Sequence, residues 1–140
     1  MSVEAYLNFN GNCREVVEHY ADVFGTDKPR FMTFGDVPAD PAYPVPEEAK
    51  SMIMHSRLKI GGSTVMFSDV FPGMPFVQGT NISLAYVEED REKLERAFNR
   101  LQDGGQVIMP LQETFWSKLY GSVTDRFDIQ WQFNLGIGEW

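Results

Sequence analysis

The feature of this 140-residue chain that most restricts its fold is an order of elements that runs strand, helix, strand, strand, strand, and then begins again near the midpoint. Ala5–Asn10 (AYLNFN) is short and aromatic-rich and ends at Gly11, the pattern of a strand. Asn12 is placed to cap a helix over Cys13–Phe24, with Glu15 three residues on as the second half of a capping box. Val16, Val17, Tyr20, Val23 and Phe24 fall at helical spacing, and Gly25 stops the helix. A brief strand at Phe31–Phe34 precedes Val37–Glu48, where four prolines exclude regular structure. Ser51–Ile60 and Thr64–Ser68 then form a hairpin across Gly61-Gly62-Ser63.

After a connector marked by Pro72-Gly73-Met74-Pro75 and Gly79, the order restarts. Asn81–Val87 reads as a strand, and Asp90–Leu101 as a helix with Leu94, Ala97, Phe98 and Leu101 on one face, stopped by Gly104-Gly105. Gln106–Met109 is a short strand and Gln112–Trp116 a loop. Leu119–Thr124 and Ile129–Leu135 form the last hairpin. The repeat is one of element order, without obvious repetition of residues. It implies an α+β fold of one domain, residues 1–140, with module one at about 1–72 and module two at about 79–140, helices packing on one face of curved sheet. A ferredoxin-like arrangement would need a helix between the last strands of each half, and none is readable.

Composition narrows the function. The net charge of −8 repels a phosphate backbone and supplies no basic patch for anionic lipid, so neither nucleic acid nor membrane is expected as a partner. No run of apolar residues is long enough to span a bilayer, and the N-terminus lacks a basic-then-apolar signal. The single Cys13 has no partner for an internal disulfide, and a reducing cytoplasm is the expected compartment. Eleven Phe and seven Met point to a pocket or interface lined with soft apolar groups, beside the plainer reading of an aromatic core.

Several segments carry a family resemblance. Tyr6-Leu7-Asn8-Phe9-Asn10-Gly11-Asn12-Cys13 with Tyr20 and Val23-Phe24-Gly25, Met54–Gly61 (MHSRLKIG), Asn81-Ile82-Ser83-Leu84, Gly104–Val107 with Met109–Gln112, Thr114-Phe115-Trp116 and Val123–Phe127 before Trp131 occur in the order seen in PhnB-like proteins. The chain thus resembles the PhnB-like branch of the glyoxalase/bleomycin-resistance (vicinal-oxygen-chelate) superfamily. The resemblance implies two β-α-β-β-β modules forming a curved mixed sheet around a cavity with helices outside, a small-molecule ligand and a homodimer. It names no reaction, because the superfamily includes isomerases, dioxygenases, thiol transferases and metal-free binding proteins. A ubiquinone-precursor methyltransferase, a name sometimes attached to such proteins, draws no support from the residues, which hold no methyl-donor-binding βαβ pattern.

Metal-using relatives take ligands from the first and last strands of each module. Here those strands offer Tyr6, Asn8, Asn10, Asn81, Ser83, Thr64, Met66 and Ser68, and Gln132 where such relatives carry Glu. That set lacks imidazole and carboxylate, so neither a bound metal nor another cofactor is expected. Strand alternation sends His55 and Arg57 away from the face of Leu58 and Ile60, and groups Tyr6, Asn8 and Asn10 unless a bulge near Gly11 intervenes. It sorts Gln130, Gln132 and Asn134 from a core-facing Trp131. His55 is the candidate proton carrier or polar anchor, against the plainer role of a hydrogen-bonded structural histidine. Phe115 and Trp116, large aromatics in a loop, suit a pocket wall, a dimer contact or plain core packing. The ligand-binding set expected is Asn8, His55, Arg57, Ser83, Phe115, Trp116 and Gln132. Cys13, at a helix N-terminus without a histidine partner, reads as a bystander, and His19 as a helix-face residue. Three functions remain open: a metal-free small-molecule-binding protein, an enzyme using His55 and Gln132 with a weakly held divalent ion, and a structural dimer with a collapsed cavity.

Overall fold

The computed structural model describes residues 1–136, and residues 137–140 lie outside the described residues. The chain divides into two compact units, Met1–Val77 and Gln78–Trp140. Each unit contains one helix and one four-stranded mixed sheet.

Unit 1 comprises β1 (Ala5–Phe9), α1 (Cys13–Phe24), β2 (Phe31–Thr33), β3 (Ile53–Ile60) and β4 (Ser63–Asp69). Its sheet has the order β1-β4-β3-β2, with β1 parallel to β4 and the other neighbours antiparallel. The helix occupies the predicted residues. Val16, Val17, Tyr20 and Val23 are buried along one stripe, opposite Phe9, Leu58, Ile60, Val65 and Phe67 of the sheet. Each such side chain removed from water contributes about 1.5–3 kcal/mol before conformational entropy is set against it. Tyr20 lies 6.0 Å from Phe67, centroid to centroid, and locks helix to sheet. Gly25 closes the helix at φ +62°, in the left-handed region.

The start of α1 departs from expectation. Asn12 makes no side-chain capping bond. The orphan N–H groups are met instead by Asp69 at the end of β4, whose Oδ1 accepts from Gly11 N at 2.9 Å and Cys13 N at 3.0 Å. Its Oδ2 accepts from Ile53 N at 2.9 Å, so one buried carboxylate joins β1, α1 and β3. Phe34 also leaves the expected strand and begins a 3₁₀ turn, in which Asp36 Oδ2 accepts from Thr33 N. The proline-rich stretch holds neither strand nor α-helix, only a 3₁₀ turn at Glu47–Ala49.

Unit 2 repeats the arrangement with β5 (Leu84–Glu88), α2 (Arg91–Leu101), β6 (Gln106–Gln112), β7 (Tyr120–Thr124) and β8 (Gln130–Leu135), in the order β5-β8-β7-β6. Strand β5 starts three residues later than expected, leaving Ser83 just ahead of it. Strand β6 runs on to Gln112 and contains Pro110, which an edge strand accepts because its outer N–H positions need no partner. Leu94, Ala97, Phe98 and Leu101 are buried against Tyr86, Val123, Trp131 and Phe133. Asp90 caps α2 directly, accepting from Glu92 N and Lys93 N. The β7–β8 loop is held by Asp125, whose Oδ1 accepts from Phe127 N and Ile129 N and whose Oδ2 accepts from Trp131 Nε1. No helix among the described residues is long and apolar enough to cross a membrane.

Register relates the two units residue by residue. Ala5 faces Val65 as Leu84 faces Trp131, and Val70 N bonds Phe9 O as Gly136 N bonds Glu88 O. Ser56 opposes Phe67 as Gly121 opposes Phe133. Met66 therefore corresponds to Gln132, Tyr6 to Ala85, Arg57 to Ser122 and His55 to Tyr120. Apolar character is kept at Leu7 and Tyr86, Val65 and Trp131, Phe67 and Phe133, and Leu58 and Val123, but not at Phe9 and Glu88 or Asp69 and Leu135, which is why the repeat is one of pattern.

Candidate functional site

In each unit the sheet face away from the helix is where polar side chains gather. On unit 1 this face carries Tyr6 and Asn8 from β1, Met66 and Ser68 from β4, and His55 and Arg57 from β3. Exposed Tyr6 and Asn8 alternate with Ala5, Leu7 and buried Phe9, so the first strand keeps simple parity without a bulge at Gly11. Tyr6 Oη and His55 Nδ1 are 3.2 Å apart, with ring centroids at 5.8 Å. Since β4 lies between β1 and β3, this contact passes over β4 and covers the middle of the face. Asn8 Oδ1 accepts from Ser68 Oγ at 3.1 Å. Arg57 is exposed and beside Met66.

The same face of unit 2 is built differently. Gln132 lies between Ala85 and Ser122, both small, so no neighbour on its row closes over it. Its Oε1 accepts from Tyr120 Oη at 2.8 Å, and its Nε2 donates to Ser83 Oγ at 2.9 Å. Tyr120 meets Trp116 edge-on at 5.3 Å, and Trp116 meets Phe115 at 4.8 Å. Phe115 is 97% exposed and Trp116 43%. The loop presenting them is fixed by Thr114 N to Ser117 O at 2.9 Å and Ser117 N to Thr114 Oγ1 at 3.1 Å, while Ser117 Oγ also bonds Asn134. Residues Glu113–Lys118 surround a shallow depression of about 270 Å³.

Of the residues expected at the site, Ser83, Gln132, Trp116 and Phe115 thus form one continuous series in unit 2. Asn8, His55 and Arg57 share the open face of unit 1. Tyr120, the link between amide and aromatics, was missed, although its alternation with Val123 places it on the face of Gln132. Tyr6, expected on the face of Asn8, is the partner of His55, a contact that the alternation of β1 alone does not reveal.

The donor set does not suit the divalent ion that the resemblance would allow. Both ends of the Gln132 amide are engaged, and its counterpart in unit 1 is the thioether Met66. Among the described residues no three His, Cys, Asp or Glu side chains cluster as a metal site. Cys13 is fully buried, and burial, then the nearby Asp69 carboxylate, push its thiol up to about 12. A thiol held neutral in this way is no nucleophile near neutral pH.

Comparison with known proteins agrees with the architecture. Residues 2–134 match the family model described as 3-demethylubiquinone-9 3-methyltransferase. The chain is 32% identical over 142 residues to protein YjdN of Escherichia coli K12, covering 96% of this chain and 95% of that protein. The crystal structure of protein PA1353 from Pseudomonas aeruginosa is similar at 37% identity and TM-score 0.83, over 96% of this chain and 97% of that one. The fold is also that of the fosfomycin resistance protein FosX from Listeria monocytogenes, at 11% identity and TM-score 0.64, over 99% and 93% of the two chains. A match over nearly the whole length, on a doubled β-α-β-β-β framework whose fold FosX shares, shows that the chain belongs to the family whose model is described as 3-demethylubiquinone-9 3-methyltransferase.

Proposed function

We propose that this protein binds a small planar molecule on the open sheet face of unit 2, without a resident metal, and works as a homodimer. The observation that carries the reading is the contrast at equivalent positions. Tyr6, Met66 and Arg57 crowd the row in unit 1 that Ala85, Gln132 and Ser122 leave open in unit 2. Beside that opening stand two exposed aromatics, and leaving such large apolar surface in water is unfavourable unless it meets a partner. Stacking on Trp116 would supply affinity. The Ser83–Gln132–Tyr120 series would supply orientation, since a hydroxyl and an amide accept or donate as the ligand requires.

The test is a fluorescence titration with a panel of planar aromatic compounds. Saturable quenching in the natural protein, lost in Trp116→Phe while Trp131 still emits, supports the reading. Identical quenching in Trp116→Phe overturns it. Sedimentation at micromolar concentration tests the dimer, and a monomer there would remove that part of the proposal.

A second reading has its own observation. The Tyr6–His55 contact is a pair able to pass a proton between phenol and imidazole on the unit 1 face. Turnover of any bound compound that disappears in His55→Gln, with binding retained, would favour an enzyme.

A further inference from the structure

Averaged over the chain, the charge is −8 and offers no basic patch, but the fold gathers cations in unit 1. The ladder between β2 and β3 reaches only as far as Phe31↔Ser56. Before that point the segment leaving α1, Thr26–Arg30, flanks Arg57, Leu58 and Lys59 without joining the sheet, anchored where Ser56 Oγ donates to Arg30 O at 2.8 Å. The cleft left between them measures about 500 Å³. Lys28, Arg30, Arg57 and Lys59 line it, against the single carboxylate of Asp27.

Among the described residues none of these four cations is recorded in an ion pair, whereas Lys50, Arg91 and Arg126 each have a carboxylate partner. Two of the last four carbonyls of α1, Ala21 O and Asp22 O, are already occupied, accepting from Thr26 N and Gly25 N. Arg57 and Lys59 project from one face of β3, and Lys28 and Arg30 come from the flanking segment, so positive charge borders the cleft on two sides. Like charges held together in this way repel, and a multiply charged anion relieves that repulsion while accepting charge-assisted hydrogen bonds. The edge of β3 past Ser56 adds backbone groups outside the β2 ladder.

We propose that this cleft binds a small dianion of the phosphate or carboxylate class. Its volume suits a metabolite, and the acidic remainder of the chain disfavours a nucleic-acid backbone extending beyond it. The proposed site is built from residues of unit 1 alone and does not rest on the reading of unit 2.

Amide NMR titrations with inorganic phosphate and, separately, succinate, at ionic strength held constant with chloride, test the proposal. Saturable shifts confined to Thr26–Arg30 and Arg57–Ile60 are expected with one or both probes. The stronger of the two identifies the anion class. The double variant Arg30→Gln/Arg57→Gln, altered only at exposed positions, should bind about tenfold more weakly, and Lys93→Gln should bind as the natural protein does. Shifts that chloride alone reproduces, shifts that fail to saturate, or undiminished affinity in the double variant would each overturn it.

Discussion

The hydroxyl of Tyr120 donates to Oε1 of Gln132 at 2.8 Å, so the amide oxygen of Gln132 is already committed to a neighbour. The amide nitrogen is committed as well, to Ser83. Three consequences can be measured. Tyr120→Phe should cost about 1 kcal/mol in urea denaturation, the net worth of one such bond. Elemental analysis of purified protein should find no stoichiometric zinc, manganese or nickel, and chelator should leave the melting temperature unchanged. Even Gln132→Glu should fail to bind manganese by calorimetry, since a lone carboxylate lacks the further donors a held ion requires.

Asp69 and Asn12 provide a paired test of how α1 begins. Asp69→Ala strands the buried N–H groups of Cys13 and Ile53 and the part-buried one of Gly11, and each buried unmet donor costs about 1–3 kcal/mol, so a loss of at least about 2 kcal/mol is expected. Asn12→Ala removes no capping bond and should change stability by less than about 0.5 kcal/mol. Equal effects from the two substitutions would contradict this assignment of the cap.

Cys13 sets a pH dependence. Its pKa is raised in the folded chain to about 12 from an ordinary 9.0. The unfolded chain therefore loses its thiol proton first as pH rises, and unfolding releases a proton in that interval. The contribution is fully present below pH 9.0 and is lost progressively toward 12. Denaturation midpoints should fall across that range, and less steeply in Cys13→Ala. At pH 8 a thiol reagent should label the native protein only at the rate at which α1 opens.

How much was readable in advance follows from the range of each interaction. The boundaries of α1 were legible because its stripe of Val16, Val17, Tyr20 and Val23 and its Gly25 terminator are all local. The cap was not, because Asp69 lies 56 residues from Cys13, while Asn12 offers a local alternative that the fold does not use. Alternation sorted His55 and Arg57 from Leu58, and Gln132 from Trp131, since a strand's period survives any packing. Phe34 was misassigned because the bonds that turn it away, Phe34 N to Met52 O and Gly35 N to Lys50 O, cross the proline-rich loop. The cationic cleft was invisible for a related reason: Lys28 and Arg30 sit in a segment without periodicity, and only the β2–β3 register brings them beside Arg57 and Lys59.

The most direct test of the binding face is a side-chain NMR titration with whichever compound quenches Trp116. The indole N–H of Trp116 and the amide NH₂ of Gln132 should shift together with one dissociation constant, while the Trp131 indole, bonded to Asp125, stays in place. Shifts confined to other residues, with the Trp116 and Gln132 signals unmoved at saturation, would contradict the account.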